Sequence, residues 1–154
     1  MAQNRGKDFE EVVRKCFEKV KDTSIIRLPD PVMGYLGYRN VCDFIVYHYP
    51  KQYFIECKSC HGASLPLDNI TRNQREGLAA VKDILGVRAG VLVWFVDHDY
   101  TVWVPIQVIL GMRENGEKSL NWKRAQLMNR CVEVLGKKKR IFFDYDMEDF
   151  FDAV

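Results

Sequence analysis

Two acids and a lysine in a short alternating stretch are the residues of this chain best placed to do chemistry. The run Cys42 to Ser59, CDFIVYHYPKQYFIECKS, holds Asp43 early in one apolar segment and closes the next with Glu56-Cys57-Lys58. Between them Tyr49-Pro50-Lys51-Gln52 reads as a turn, because proline presets φ and lacks a ladder donor. A turn centred on Pro50-Lys51 pairs residues whose numbers sum to about 101. Asp43 then faces Lys58, and Glu56 lies diagonally across from Asp43. Side chains alternate with a period of two, so Asp43, Glu56 and Lys58 share one face. Two carboxylates and an ammonium gathered on a sheet face are costly unless something compensates the charges. A divalent metal ion and a phosphodiester would do so.

The elements that must position these residues follow from periodicity. Phe9, Val12, Val13, Cys16, Phe17 and Val20 recur at helical spacing and predict an amphipathic helix from Gly6 to about Lys21. Ser24 to Leu28 is a short strand, stopped by Pro29-Asp30-Pro31, and Met33 to Asn40 is a glycine-containing loop. After the hairpin we expect a loop from Ser59 to Ile70, then a helix from Thr71 to about Leu85 ended by Gly86. Ala89–Val96 and Tyr100–Pro105 read as strands, and Ile106–Met112 as a short helix. Lys118–Leu135 fits a helix, or a loop followed by a strand, and Arg140–Tyr145 fits a strand. The order predicts one α/β domain over residues 1–154, a central mixed sheet flanked by helices.

Composition narrows the classes. A length of 154 residues fits one domain, and 47% apolar residues exclude a disordered chain. The longest apolar stretch, Ala89 to Val96, is too short to span a bilayer, and MAQNRGKDFEE lacks an apolar signal region. Five scattered cysteines suit reduced thiols in a cytosol. Net charge is +2, but residues 144–154 hold five acids and no Lys or Arg. The rest of the chain sets 23 basic groups against 16 acids, a balance of +7 that suits a polyanionic partner or a solvated surface. The acidic end is either a docked helix, with Met147, Phe150 and Phe151 on one side, or a flexible tail.

An acid, a dozen residues and then Glu-x-Lys on a hairpin resembles the PD-(D/E)XK nuclease superfamily. The ordered set NRGKDFEE, CDF, FIECKS, SLPLDNITRNQREGL and GVLVWFV with YTVWVPI resembles the RecU family of Holliday junction resolvases, over roughly residues 4 to 112. The resemblance implies a restriction-endonuclease-like fold and a homodimer making symmetric nicks in branched DNA during recombination or repair. It implies the cytoplasm of a bacterial cell or phage-infected host, with no membrane and no small-molecule substrate. By the same resemblance Asp43 and Glu56 ligate Mg²⁺, which Mn²⁺ replaces, and Lys58 is the catalytic lysine. Glu10 is the acid from the first helix and Gln74 the polar residue from the second. Mg²⁺ takes oxygen ligands and keeps several waters, so two carboxylates and the Cys57 carbonyl suffice.

Each residue also has a plainer role. Glu10 and Glu11 suit a helix N-terminus, and Glu10, directly after Phe9, is the better match to the family's placement. Thr71-x-x-Gln74 is a capping box, which excludes a catalytic Gln74 only if that side chain folds back fully onto Thr71. Cys57-Lys58-Ser59-Cys60 invites a zinc or redox reading, but no second CxxC or His pair follows. Arg5, Lys7, Arg72 and Arg75 are candidates for DNA phosphates, and Lys137-Lys138-Lys139-Arg140 is a phosphate-contacting run or a solvated turn. The RecU enzymes carry a long stalk before the catalytic aspartate, whereas 12 residues separate Asp30 from Asp43 here. In its place, Tyr35 and Tyr38 could stack on bases at a branch point. The rival readings are a flap or duplex nuclease of the same chemistry, and a non-catalytic DNA-binding protein.

Overall fold

The computed structural model describes residues 4–29 and 40–154. In chain order the elements are α1 (Arg5–Glu18), β1 (Thr23–Arg27), β2 (Phe44–His48), β3 (Lys51–Cys60), β4 (Ser64–Pro66) and α2 (Arg72–Val81). They continue with β5 (Val87–Phe95), β6 (Tyr100–Pro105), α3 (Ile106–Glu114), β7 (Ser119–Asn121) and α4 (Trp122–Leu127). The last are β8 (Val132–Glu133), β9 (Gly136–Lys138), β10 (Phe143–Tyr145) and α5 (Met147–Ala153).

Six strands form the main sheet in the order β1-β2-β3-β5-β6-β8. Only β3 and β5 run parallel, and that pairing requires the crossover that carries α2. β3 is therefore central, and both of its faces are covered. Tyr53, Ile55 and Cys57 point into one core with Trp94 and Trp103, beneath α1 and α5. Val91 and Val93 of β5 point into the other, with Leu65, Leu78 and Ile109, beneath α2 and α3.

The hairpin register differs from expectation by one step on each strand. His48 faces Lys51 and Phe44 faces Ile55, so the turn is Tyr49-Pro50 alone. Pro50 has no amide to donate and occupies the turn, while Lys51 already belongs to the ladder. A slip of two in the sum of paired numbers preserves face parity. Asp43, Glu56 and Lys58 thus keep a common face, but Asp43 lies beside Glu56 rather than across from Lys58.

Other boundaries also moved. α2 stops at Val81 because Gly86, at φ +82°, turns the chain so that its carbonyl accepts from Gln52 at 2.8 Å and β5 can start beside β3. The expected loop from Ser59 begins with the end of β3 and includes β4, which pairs with β7. The ambiguous stretch after residue 118 splits into β7, α4 and β8, because pairing partners lie at both of its ends. Of Arg140–Tyr145 only the last three residues pair, with β9.

α5 is amphipathic. Asp146 caps it by accepting from the Asp149 amide at 3.0 Å. Phe150 meets Phe17, Tyr53 and Trp103 with ring centroids 5.5 to 5.7 Å apart, while Phe151 stacks on His48 at 4.2 Å. Glu148, Asp149 and Asp152 face solvent. Among the described residues no helix is long and apolar enough to cross a membrane. Truncating the buried Phe150 to alanine should cost about 3–5 kcal/mol by urea unfolding. Leu127→Ala, at a residue 83% exposed, should stay within about 0.5 kcal/mol of wild type.

Candidate active site

The site forms where β2 meets the second half of β3. The backbone ladder between them ends at Phe44 and Ile55, and the Asp43 amide donates to the Ile55 carbonyl at 3.0 Å. The Asp43 side chain then takes over from the ladder. Its Oδ2 accepts the Cys57 amide at 2.8 Å, so this carboxylate is fixed by backbone on a central strand. Glu56 is only 3% exposed, with Phe54 and Val91 beside it on that face as well as Asp43 and Lys58. Its Oε1 accepts from Lys58 Nζ at 3.1 Å and from Gln74 Nε2 at 2.9 Å.

Gln74 serves two masters. Its Oε1 accepts from the Thr71 amide at 3.0 Å while its Nε2 reaches Glu56, so capping box and site contact coexist in one side chain. α2 comes this close because Gly77 lacks a side chain. A Cβ there would stand 2.1 Å from Val41 Cγ1, two residues before Asp43. Asn73 Nδ2 adds a bond to the Asn40 carbonyl at 3.2 Å. The helix is thereby packed against the segment that delivers the aspartate.

The electrostatics follow from this burial. Glu56 is pushed up, first by loss of water and then by the charge of Asp43, with Lys58 pulling it back. Asp43 is also pushed up by burial, and further by Glu10, while the Cys57 amide opposes the shift. Two adjoining acids raised mainly by burial in a partly dry site favour a shared proton or a bound cation. Glu10 is close enough for its charge to act on Asp43 but comes from another element. It lies on α1, across the sheet from Glu56, and its Oε2 accepts from Arg27 Nη2 at 2.8 Å. Glu11 turns outward to Arg14. Among the described residues no three His, Cys, Asp or Glu side chains converge as a metal-binding group.

The remaining residues separate into those near this end of the sheet and those turned away. Arg5 opens α1, and its Nη1 is buried without a hydrogen-bond partner. Lys7 is exposed one turn from Glu10. Arg72 is drawn to Glu76 at 2.7 Å, and Arg75 is engaged by the Ile70 carbonyl at 2.5 Å, so neither reaches the carboxylates. Both sit off the Gln74 face of α2 by helical rotation. Asp30, Tyr35 and Tyr38 lie outside the described residues. Cys57 and Cys60 point to opposite faces of β3, into different cores, so their thiols cannot hold one metal between them. His61 bonds Asp97 at 3.2 Å instead. Sequence reading missed Arg27, the cation that holds Glu10. Its signal was a lone charge following Ile25-Ile26 at the end of a short strand.

No protein-family model matches the chain, and no curated protein matches its sequence. A solved structure that does resemble it is that of Hjc from Archaeoglobus fulgidus, described as a Holliday junction resolvase from an archaeal hyperthermophile. The two share 18% identity with a TM-score of 0.54, over 85% of this chain and 95% of the other. At that identity the likeness is one of fold. The chain has the α/β architecture that the motif order led us to expect, a central mixed sheet flanked by helices.

Proposed function

We propose that this protein is a metal-dependent endodeoxyribonuclease, a resolvase of the RecU kind without a long stalk, acting on branched DNA as a homodimer. One observation carries the reading: Asp43 and Glu56 lie side by side on a central strand pair, with Lys58 and Gln74 bonded to the same carboxylate oxygen. A structural ion pair would need one acid for one lysine. Here two dehydrated acids share one lysine, and once both are ionised the surplus charge calls for a cation. The donors are hard oxygens, which suit Mg²⁺ or Mn²⁺ and not a thiolate-preferring ion. Asp43, Glu56 and the Cys57 carbonyl would hold it, with water completing the shell. When bound, such an ion supplies a nucleophilic water at neutral pH and countercharge for the phosphate.

The chain's own groups do the rest. Gln74 and the Cys57 amide pin the two carboxylates before substrate arrives, so no ordering is left for the reacting complex. Lys58, 3.1 Å from Glu56, is one residue pair further toward the strand end and 21% exposed, within reach of a phosphate lying on that rim. Its ammonium would steady the charge that builds on the phosphoryl oxygens and orient the attacking water. Glu10, released from Arg27, would add a third acid beside Asp43. Two nicks placed symmetrically across a junction need two sites related by a two-fold axis, hence the dimer.

The charge surplus is testable without DNA. Since folding raises the pKa of Glu56, the folded state holds its proton over a range where the unfolded chain has lost it. That stability is present below the ordinary carboxylate range and is lost as pH rises through the folded-state value. In chelator, Glu56→Gln should therefore melt several degrees above wild type at about pH 8 and level with it at about pH 4. Adding Mg²⁺ at the higher pH should raise the wild-type midpoint and leave the variant's unmoved. A variant no more stable at either pH would remove the dehydrated pair on which the reading depends.

Cleavage tests the chemistry itself. On a labelled four-way junction in Mg²⁺, Asp43→Asn should abolish nicking while DNA binding in a gel-shift assay persists. Lys58→Ala should lower single-turnover cleavage by on the order of 10²–10³ with calorimetric metal binding retained. Wild-type protein should prefer the junction to linear duplex at moderate salt. Equal cleavage of both would leave a nuclease but not a resolvase.

A further inference from the structure

The cationic run near the C-terminal end is built into the fold. Lys137 and Lys138 belong to β9, which pairs with β10, and the chain turns through Lys139-Arg140 before Phe142, whose carbonyl accepts the Lys139 amide at 2.8 Å. Gly136 lets the strands meet, since a Cβ there would stand 2.8 Å from the Asp144 carbonyl. The hairpin is then fastened to the core at several points. Phe142 packs on Trp94 at 5.3 Å, Tyr145 shares a hydrogen bond with Thr101 at 2.7 Å, and Lys138 pairs with Asp99 at 2.6 Å. Asp144 lies across from Lys137, but its carboxylate is taken by Lys19 at 2.7 Å. Lys137, Lys139 and Arg140 are exposed and make no ion pair among the described residues.

These contacts also fix where the hairpin stands. Trp94 is the register partner of Ser59, the residue after Lys58, and Asp99 follows the end of β5. The hairpin therefore lies on the α1 side of the sheet, with Phe142 and Lys138 held at the end that carries the carboxylates and Asp144 reaching the C-terminal end of α1. Cations held close together on a stiff support repel one another, and a polyanion lying across them relieves that repulsion. We propose that the β9–β10 hairpin is a second DNA-contacting surface, with Lys137, Lys139 and Arg140 gripping the phosphodiester backbone of the duplex that leads into the carboxylate site. This rests on the nuclease reading for its ligand, but not for its test.

The test is equilibrium binding of the full chain to a labelled four-way junction in chelator, where nothing is cleaved, across a salt series. Alanine at 137, 139 and 140 together, with Lys138 kept on Asp99, should weaken binding roughly 10- to 100-fold at moderate salt. It should also flatten the plot of log affinity against log salt by about 2–3, near 0.9 for each lost phosphate contact. Lys137→Arg with Lys139→Arg should keep the wild-type slope. In Mg²⁺ the alanine variant should show a raised KM at unchanged kcat, with an unchanged melting midpoint. Affinity within twofold of wild type and an unaltered slope would overturn the proposal, as would wild-type protein that does not bind DNA. Wild-type binding that depends on the hairpin, without any cleavage, would uphold this surface and sink the nuclease reading instead.

Discussion

Everything around the site depends on keeping two carboxyl groups dehydrated beside each other on the most constrained strands of the molecule. Asp43 and Glu56 occupy a face that otherwise belongs to the apolar core beneath α2 and α3. Ionised and uncompensated, they would cost several kcal/mol. The fold answers with three partial remedies: an amide from Cys57, an ammonium from Lys58 and a side-chain amide from Gln74. What remains is a pair of acids whose positions are enforced by backbone and by one helix.

That enforcement is spread through the molecule. β3 is gripped on one side by β2 and on the other by β5, and the Tyr53–Phe150 contact of β3 and the Trp94–Phe9 contact of β5 back the sheet from below. α2 is held against the aspartate-bearing segment through the Gly77 notch, so a helix position and a strand position are set by one contact. The capping box extends the same economy. The residue that satisfies the first turn of α2 also orients Glu56, which ties the stability of a helix terminus to the alignment of the site.

Charge is arranged along the sheet as well as at the site. The acidic α5 packs beside His48 and Tyr53, next to the Tyr49-Pro50 turn and therefore at the end of the hairpin away from Glu56 and Lys58. α1 opens with Arg5 and Lys7 at the other end. The modest overall charge of +2 thus covers local clusters of either sign.

Strand parity, helix periodicity and the cap of α2 are local properties, and they were legible in the chain. The common face of Asp43, Glu56 and Lys58 follows from alternation, and survived a mistaken turn centre because the slip was even. The burial of the aromatic face of α5 was foreshadowed by Met147, Phe150 and Phe151. Other features rest on contacts between distant residues. Asp43 beside Glu56, Gln74 bonded to Glu56 while still capping, and Glu10 paired with Arg27 all depend on how separate elements pack. The same is true of the separation of Cys57 and Cys60 into two cores, and of a lysine run becoming a fastened hairpin. Local patterning determined which side chains could meet. Only the packing of α1, α2 and the strands decided which of them do, because the free energy of that choice lies in burial and in hydrogen bonds that close long loops.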